Sequence, residues 1–162
     1  MVRLDISILP RLPDTNAIRC LGALLLMFAV AGCAEPFIVL PGKALSGEQT
    51  PPPEDWSKYA DVEVVQLETR PEDPYSVNIW AVAVGPDYYI ATGEDGTRWT
   101  ENLTADPRVR LRVESNLYQL RTVRVLDPAE IDRVAAQYSK KYGLDAEDNW
   151  VEKALVYRLE PR

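Results

Sequence analysis

Between Arg108 and Val113 the chain alternates without a break: Arg108, Arg110 and Arg112 take one set of positions, Val109, Leu111 and Val113 the other. Successive side chains of a strand point to opposite faces, so this pattern specifies a β-strand with one wet face and one buried face. A helix would scatter the same arginines around its circumference. Ser115-Asn116 supply a turn, and the run from Tyr118 to Leu126 returns as the antiparallel partner. A chain committed to such a hairpin must bury its apolar face against further strands or a helix.

The remaining elements follow from period and punctuation. Val62, Val64 and Leu67 among polar neighbours predict a strand over 61–68, ended by the turn Arg70-Pro71-Glu72-Asp73-Pro74. Strands over 75–84 and 87–92 flank Gly85-Pro86, a connection short enough to require a hairpin. Ile79 to Val84 is nearly continuous in apolar residues, which predicts burial on both faces. A short helix over 97–104 ends before Asp106-Pro107. Asp127-Pro128-Ala129-Glu130 places an acceptor at the N-cap, proline at the first helical position and glutamate three residues after the cap. Ile131, Val134, Ala135, Tyr138 and Tyr142 then share one helical face, and Gly143 supplies the C-terminal cap. A turn over 145–150 leads to a last strand over 154–160. The expected architecture is mainly β (α+β): a small antiparallel barrel that closes its own edges, with a short helix after the central hairpin and one longer capped helix near the C-terminus.

The N-terminal third reads differently. Arg3, Arg11 and Arg19 precede an apolar run from Leu21 to Val30, the length of a secretory signal core and too short to span a bilayer. The run ends in Val30-Ala31-Gly32-Cys33, which resembles the lipobox of bacterial lipoproteins. That resemblance implies cleavage after residue 32 and lipidation of Cys33. Ala34 in the following position implies sorting to the outer membrane, with the protein facing the periplasm. Residues 33–57 are rich in Pro, Gly, Ser and Glu, with Pro51-Pro52-Pro53 stiffening the middle, and read as a tether. The expected organisation is a signal peptide over 1–32, a lipidated tether over 33–57 and a folded domain over 58–162.

Composition then removes whole classes of chemistry. The sequence has no histidine, so a Ser-His-Asp triad, a Cys-His pair and a His-ligated metal site are excluded. Its two cysteines are Cys20 and Cys33, which leaves no thiol in the domain and no metal site is expected. The net charge is −7, and nucleic acid is excluded as a partner because such a protein cannot displace the counterions of a phosphate backbone.

The stretch Trp99-Thr100-Glu101-Asn102-Leu103-Thr104-Ala105-Asp106-Pro107-Arg108-Val109, set between two hairpins and followed by a helix, resembles the split β-barrel superfamily of the pyridoxamine 5'-phosphate oxidases. Within it the similarity is to the deazaflavin-dependent nitroreductase-like branch. Ile79-Trp80 and Tyr157-Arg158-Leu159-Glu160-Pro161 support it. The resemblance implies a split β-barrel, FMN or a deazaflavin as cofactor, a flavin- or deazaflavin-linked oxidoreductase activity, and a homodimer. It implies that Thr92, Gly93, Gly96, Thr97, Arg98 and Trp99 line the cofactor, with helix N-terminal amides and Arg98 on phosphate and Trp99 along the ring. No catalytic residue is assigned.

The residues themselves leave a second reading open. Glu94 and Asp95 lie inside the same loop, and positions 75–92 carry no basic residue. Arg98 can equally pair with Glu94, Asp95 or Glu101 on the surface, and Arg108, Arg110 and Arg112 can form a solvated face or, with Arg121 or Arg124, an anion stripe. The alternative to the oxidoreductase is therefore a cofactor-free barrel that binds a small ligand or a protein of the cell envelope.

Overall fold

The computed structural model describes residues 42–144 and 153–162, all within the compact unit Ile38–Arg162. Seven strands form one sheet: β1 (Glu48–Gln49), β2 (Val64–Thr69), β3 (Tyr75–Val84), β4 (Asp87–Thr92), β5 (Arg108–Val113), β6 (Asn116–Arg124) and β7 (Leu155–Pro161). Their order is β1-β6-β5-β2-β3-β4-β7, and a further β6–β7 pairing closes the last six into a barrel. Helix α1 (Arg98–Ala105) follows β4, and α2 (Pro128–Tyr142) follows β6. The expected split β-barrel is therefore the observed fold.

Closure leaves no free edge among those six strands, which is how a sheet of this size avoids pairing with other chains. Leu67, Ile90, Leu111 and Leu120 fill the interior with Tyr88, Tyr118, Trp56 and Trp99. Trp56 stacks on Tyr88 at 5.0 Å between ring centres and meets Tyr118 edge-on at 4.9 Å. A second core lies outside the barrel, where Val134 and Tyr138 of α2 cover Val82, Tyr89 and Val156.

The cap, proline and glycine signals of α2 work as expected, whereas Glu130 does not reach back to the cap and accepts instead from the Tyr89 hydroxyl at 2.9 Å and Arg158 at 2.7 Å. The carboxylate of Asp127 accepts from the Ala129 N–H, Pro128 opens α2, and Gly143 closes it at φ 64°. Gly85 has φ 60°, the positive value that a two-residue hairpin loop requires at its first position. The β5–β6 turn is Glu114-Ser115, one residue earlier than expected, because Asn116 pairs with Val113 and serves β6. Ala81, Val82 and Ala83 are buried on alternating faces, the first and third in the barrel and the second beneath α2. Trp80, in the same apolar run, is instead 49% exposed. The turn expected over 145–150 lies outside the described residues, as do the signal segment and Cys33.

The stretch read as a tether contains structure from Gly42 onward. Gly42 pairs with Ser76 of β3, the Lys43 carbonyl accepts from the Ser76 hydroxyl at 2.8 Å, and Glu48–Gln49 runs parallel to β6. Leu45 N–H donates to Glu68 Oε2 at 2.5 Å. Residues 42–50 thus strap the outer face of β3, β2, β5 and β6.

Candidate functional site

The six residues implied as a rim sit where β4 leaves the barrel and α1 begins. Thr92 ends β4 and is half-buried, while Gly93, Glu94 and Asp95 are exposed. Gly96 turns the chain at φ 67°, and a side chain there would meet Thr100 Oγ1 at 2.8 Å. Thr97 is the N-cap: its N–H donates to Thr100 Oγ1 at 2.8 Å, and its carbonyl accepts from the Thr100 hydroxyl at 2.7 Å. Gly96, Thr97 and Thr100 therefore build the start of α1 itself. The N–H groups of Arg98 and Trp99, the first two residues of α1, have no partner among the described residues, as helix geometry dictates for a first turn.

Arg98 and Trp99 point in opposite directions. Trp99 is 4% exposed, packs into the barrel core and meets Tyr157 of β7 edge-on at 5.8 Å. Arg98 is exposed, its guanidinium carbon 5.7 Å from the centre of the Tyr75 ring. Neither Glu94, Asp95 nor Glu101 pairs with it, and Glu94 instead meets Lys153 at 3.3 Å. Among the described residues Arg98 thus presents a guanidinium without a carboxylate, on a helix whose first two amides are unpaired.

The arginine alternation has another fate. Arg110 makes a two-pronged bond to Glu68, with both N···O distances 2.6 Å, and Glu68 is 2% exposed. Arg108 grips Asp106 in the same way at 3.0 and 2.7 Å, which holds that carboxyl below the usual carboxylate range. Arg112 reaches the Ser46 carbonyl, and Arg121 pairs with Glu160 at 2.6 Å. Arg124 donates to the Val156 and Ala154 carbonyls. These groups are consumed by the fold and by the strap, so no anion stripe forms.

Two constellations had no signal in the sequence. Lys141 Nζ donates to the carbonyls of Val62 at 2.6 Å and Ala81 at 2.8 Å, and burial pushes its ammonium pKa down. The Tyr142 hydroxyl donates to the Glu63 carbonyl at 2.6 Å and accepts from the Ala81 N–H at 3.1 Å, and its ring stacks on Trp80 at 4.5 Å. Together they pin the end of α2 to the β2–β3 corner. Charged and aromatic residues at a helix C-terminus predict only a favourable dipole term, so the specific acceptors were not legible. Among the described residues no group of three or more carboxylates is placed to hold a metal, and no helix is long and apolar enough to cross a membrane.

No protein-family model matches the chain, and no curated protein matches it. Solved structures do. A conserved hypothetical protein of Mycobacterium tuberculosis is 19% identical over 67% of this chain and 81% of its own, with a TM-score of 0.54. A candidate 5-nitroimidazole antibiotic resistance protein of Bacteroides thetaiotaomicron is 14% identical over 66% of this chain and 80% of its own, with a TM-score of 0.50. A candidate pyridoxamine 5'-phosphate oxidase of Listeria innocua is 16% identical over 62% and 84%, with a TM-score of 0.49. At these identities the similarity is one of fold.

Proposed function

We propose that this chain is a lipid-anchored envelope protein whose split barrel binds a small anionic ring ligand of the FMN or deazaflavin type at the start of α1. The observation that carries the ligand class is Arg98: a guanidinium with no carboxylate among the described residues, on a helix whose first two amides are unpaired. A phosphate monoester suits that set, since a planar fork and oriented N–H groups are its usual receptors. Thr92 pairs with Leu155 of β7 and the Gly93 carbonyl accepts from the Gly96 N–H, so these two rim residues shape the approach to the helix. When bound, such a group supplies hydride or electron transfer, and the chain's share is to hold its phosphate and orient its ring. The anchoring part of the reading rests on Val30-Ala31-Gly32-Cys33 alone. A homodimer belongs to the same proposal and is tested by light scattering.

The fit is good for the anionic end and poor for the ring. Trp99 is buried against Tyr157 and offers no face to a ligand. That observation favours the second reading, a cofactor-free barrel that takes a different ligand or an envelope protein.

Titration of the full chain, purified in nonionic detergent, with FMN and with a deazaflavin separates the two. Saturable binding that weakens in Arg98→Ala, with the far-ultraviolet circular dichroism unchanged, is the expected outcome. No binding by a folded chain overturns the cofactor reading and leaves the second. Detergent partitioning of the cellular protein, lost in Cys33→Ser, tests the anchor independently.

A further inference from the structure

An open groove of about 350 Å³ runs between the β2–β3 turn and α1. It is separate from the arginine-bearing start of that helix. Pro71 from the turn and Ala105 from the helix give it apolar lining, and its charge comes almost entirely from carboxylates. Not all of these are available. Asp73 is held by Arg70 at 2.6 Å, and Asp106 is gripped by Arg108. Glu101 has no ion pair among the described residues, and Glu72 has only a 3.8 Å contact with Arg108. Two acids on opposite walls thus remain in search of positive charge. Asn102, also in the lining, spends its amide nitrogen on Thr69 Oγ1 at 2.8 Å, which leaves its carbonyl oxygen as a further acceptor.

We infer that this groove binds a small organic cation, an ammonium group carried on an apolar body. Charge complementarity selects the ammonium, because Glu72 and Glu101 are negative and, with the Asn102 oxygen, offer acceptors only. The apolar body is selected by Pro71 and Ala105, which gain nothing from a fully hydrated ion. Size selects a small molecule, since the volume lies at the lower end of ligand pockets and is too small for a peptide helix. The proposal does not depend on a cofactor at Arg98.

The test is amide chemical-shift mapping on the full chain in nonionic detergent at low salt, with phenethylammonium as the probe. Saturable shifts in Arg70–Asp73 and Glu101–Asp106, with affinity on the order of 1 mM, are expected. Glu72→Gln and Glu101→Gln should each weaken binding by up to about fivefold, the upper limit for an exposed pair. Phenylacetate, the same ring with the opposite charge, should not bind, and methylammonium, which lacks the ring, should bind far more weakly. Arg98→Ala should leave the shifts unchanged, so loss of flavin binding and loss of cation binding are separately readable. Equal binding of phenylacetate, indifference to both glutamine substitutions, or absence of saturable shifts overturns the inference. A lysine-rich peptide that saturates the same amides while phenethylammonium does not would overturn it in favour of a protein partner.

Discussion

The Glu68–Arg110 pair is the place where one substitution should reach furthest into the structure. Glu68 lies at 2% exposure on the outer face of β2, under the strap, and receives three bonds: two from Arg110 and one from the Leu45 N–H. The Arg110 side chain is itself only 23% exposed. Arg110→Ala removes the counter-charge and leaves the carboxylate in place, a change that costs about 3–5 kcal/mol at buried pairs. For a domain of this size about 1 kcal/mol moves Tm by roughly 4–8 °C, so a fall of more than ten degrees is expected. Replacing both partners, as in Glu68→Leu with Arg110→Met, should cost less than the single change. No charge is then stranded, and what remains is the lost acceptor for Leu45, about 1–3 kcal/mol. Urea unfolding followed by tryptophan fluorescence, to which buried Trp56 contributes, measures both variants against the unsubstituted chain. A loss below about 1 kcal/mol in Arg110→Ala, or a double variant weaker than the single one, would refute the reasoning.

Three further outcomes are expected. Tyr88 is fully buried and its hydroxyl has no hydrogen-bond partner among the described residues, so Tyr88→Phe should be neutral or stabilise by about 1 kcal/mol in the same assay; a loss of that size would show a hidden partner. Gly96→Ala should cost at least about 1 kcal/mol, because it combines positive φ with a 2.8 Å approach to Thr100 Oγ1, and Thr100→Ser should not relieve it, whereas Thr100→Ala should in part. Burial holds the phenol pKa values of Tyr88, Tyr89, Tyr118, Tyr138 and Tyr142 above 10 in the folded chain. The folded state then binds more protons than the unfolded state above pH ~10, so stability is full below that pH and declines as pH rises through it. Absorbance at alkaline pH should show most of the eight tyrosines ionising late, together with loss of the circular dichroism signal; early ionisation of all eight would contradict this.

The comparison between sequence and structure turns on particular residues. Alternation at Arg108–Val113, the cap at Asp127-Pro128 and the glycines at 85 and 143 are local instructions, and each acts within a few residues of itself. They were legible because strand period, helix capping and positive φ are properties of short backbone segments. The rim was legible only as a stretch of chain. Local period sets Trp99 and Leu103 on one helical face and Arg98 off it, but only the placement of the helix decides that this face meets the core and that Arg98 lies toward Tyr75 and solvent.

What the sequence by itself determined is therefore the element order, the hairpins and the lack of histidine and cysteine in the domain. The tertiary structure alone decided which arginines carry a free charge. Arg110 and Arg121 found carboxylates at 68 and 160, and Arg98 found none among the described residues. It also decided that residues 42–50 strap the barrel, that Glu68 is buried beneath them, and that Glu72 and Glu101 line one groove. The physical reason is common to all of these: ion pairing and burial depend on distances of a few ångströms between residues far apart in the chain, and those distances exist only once the barrel closes.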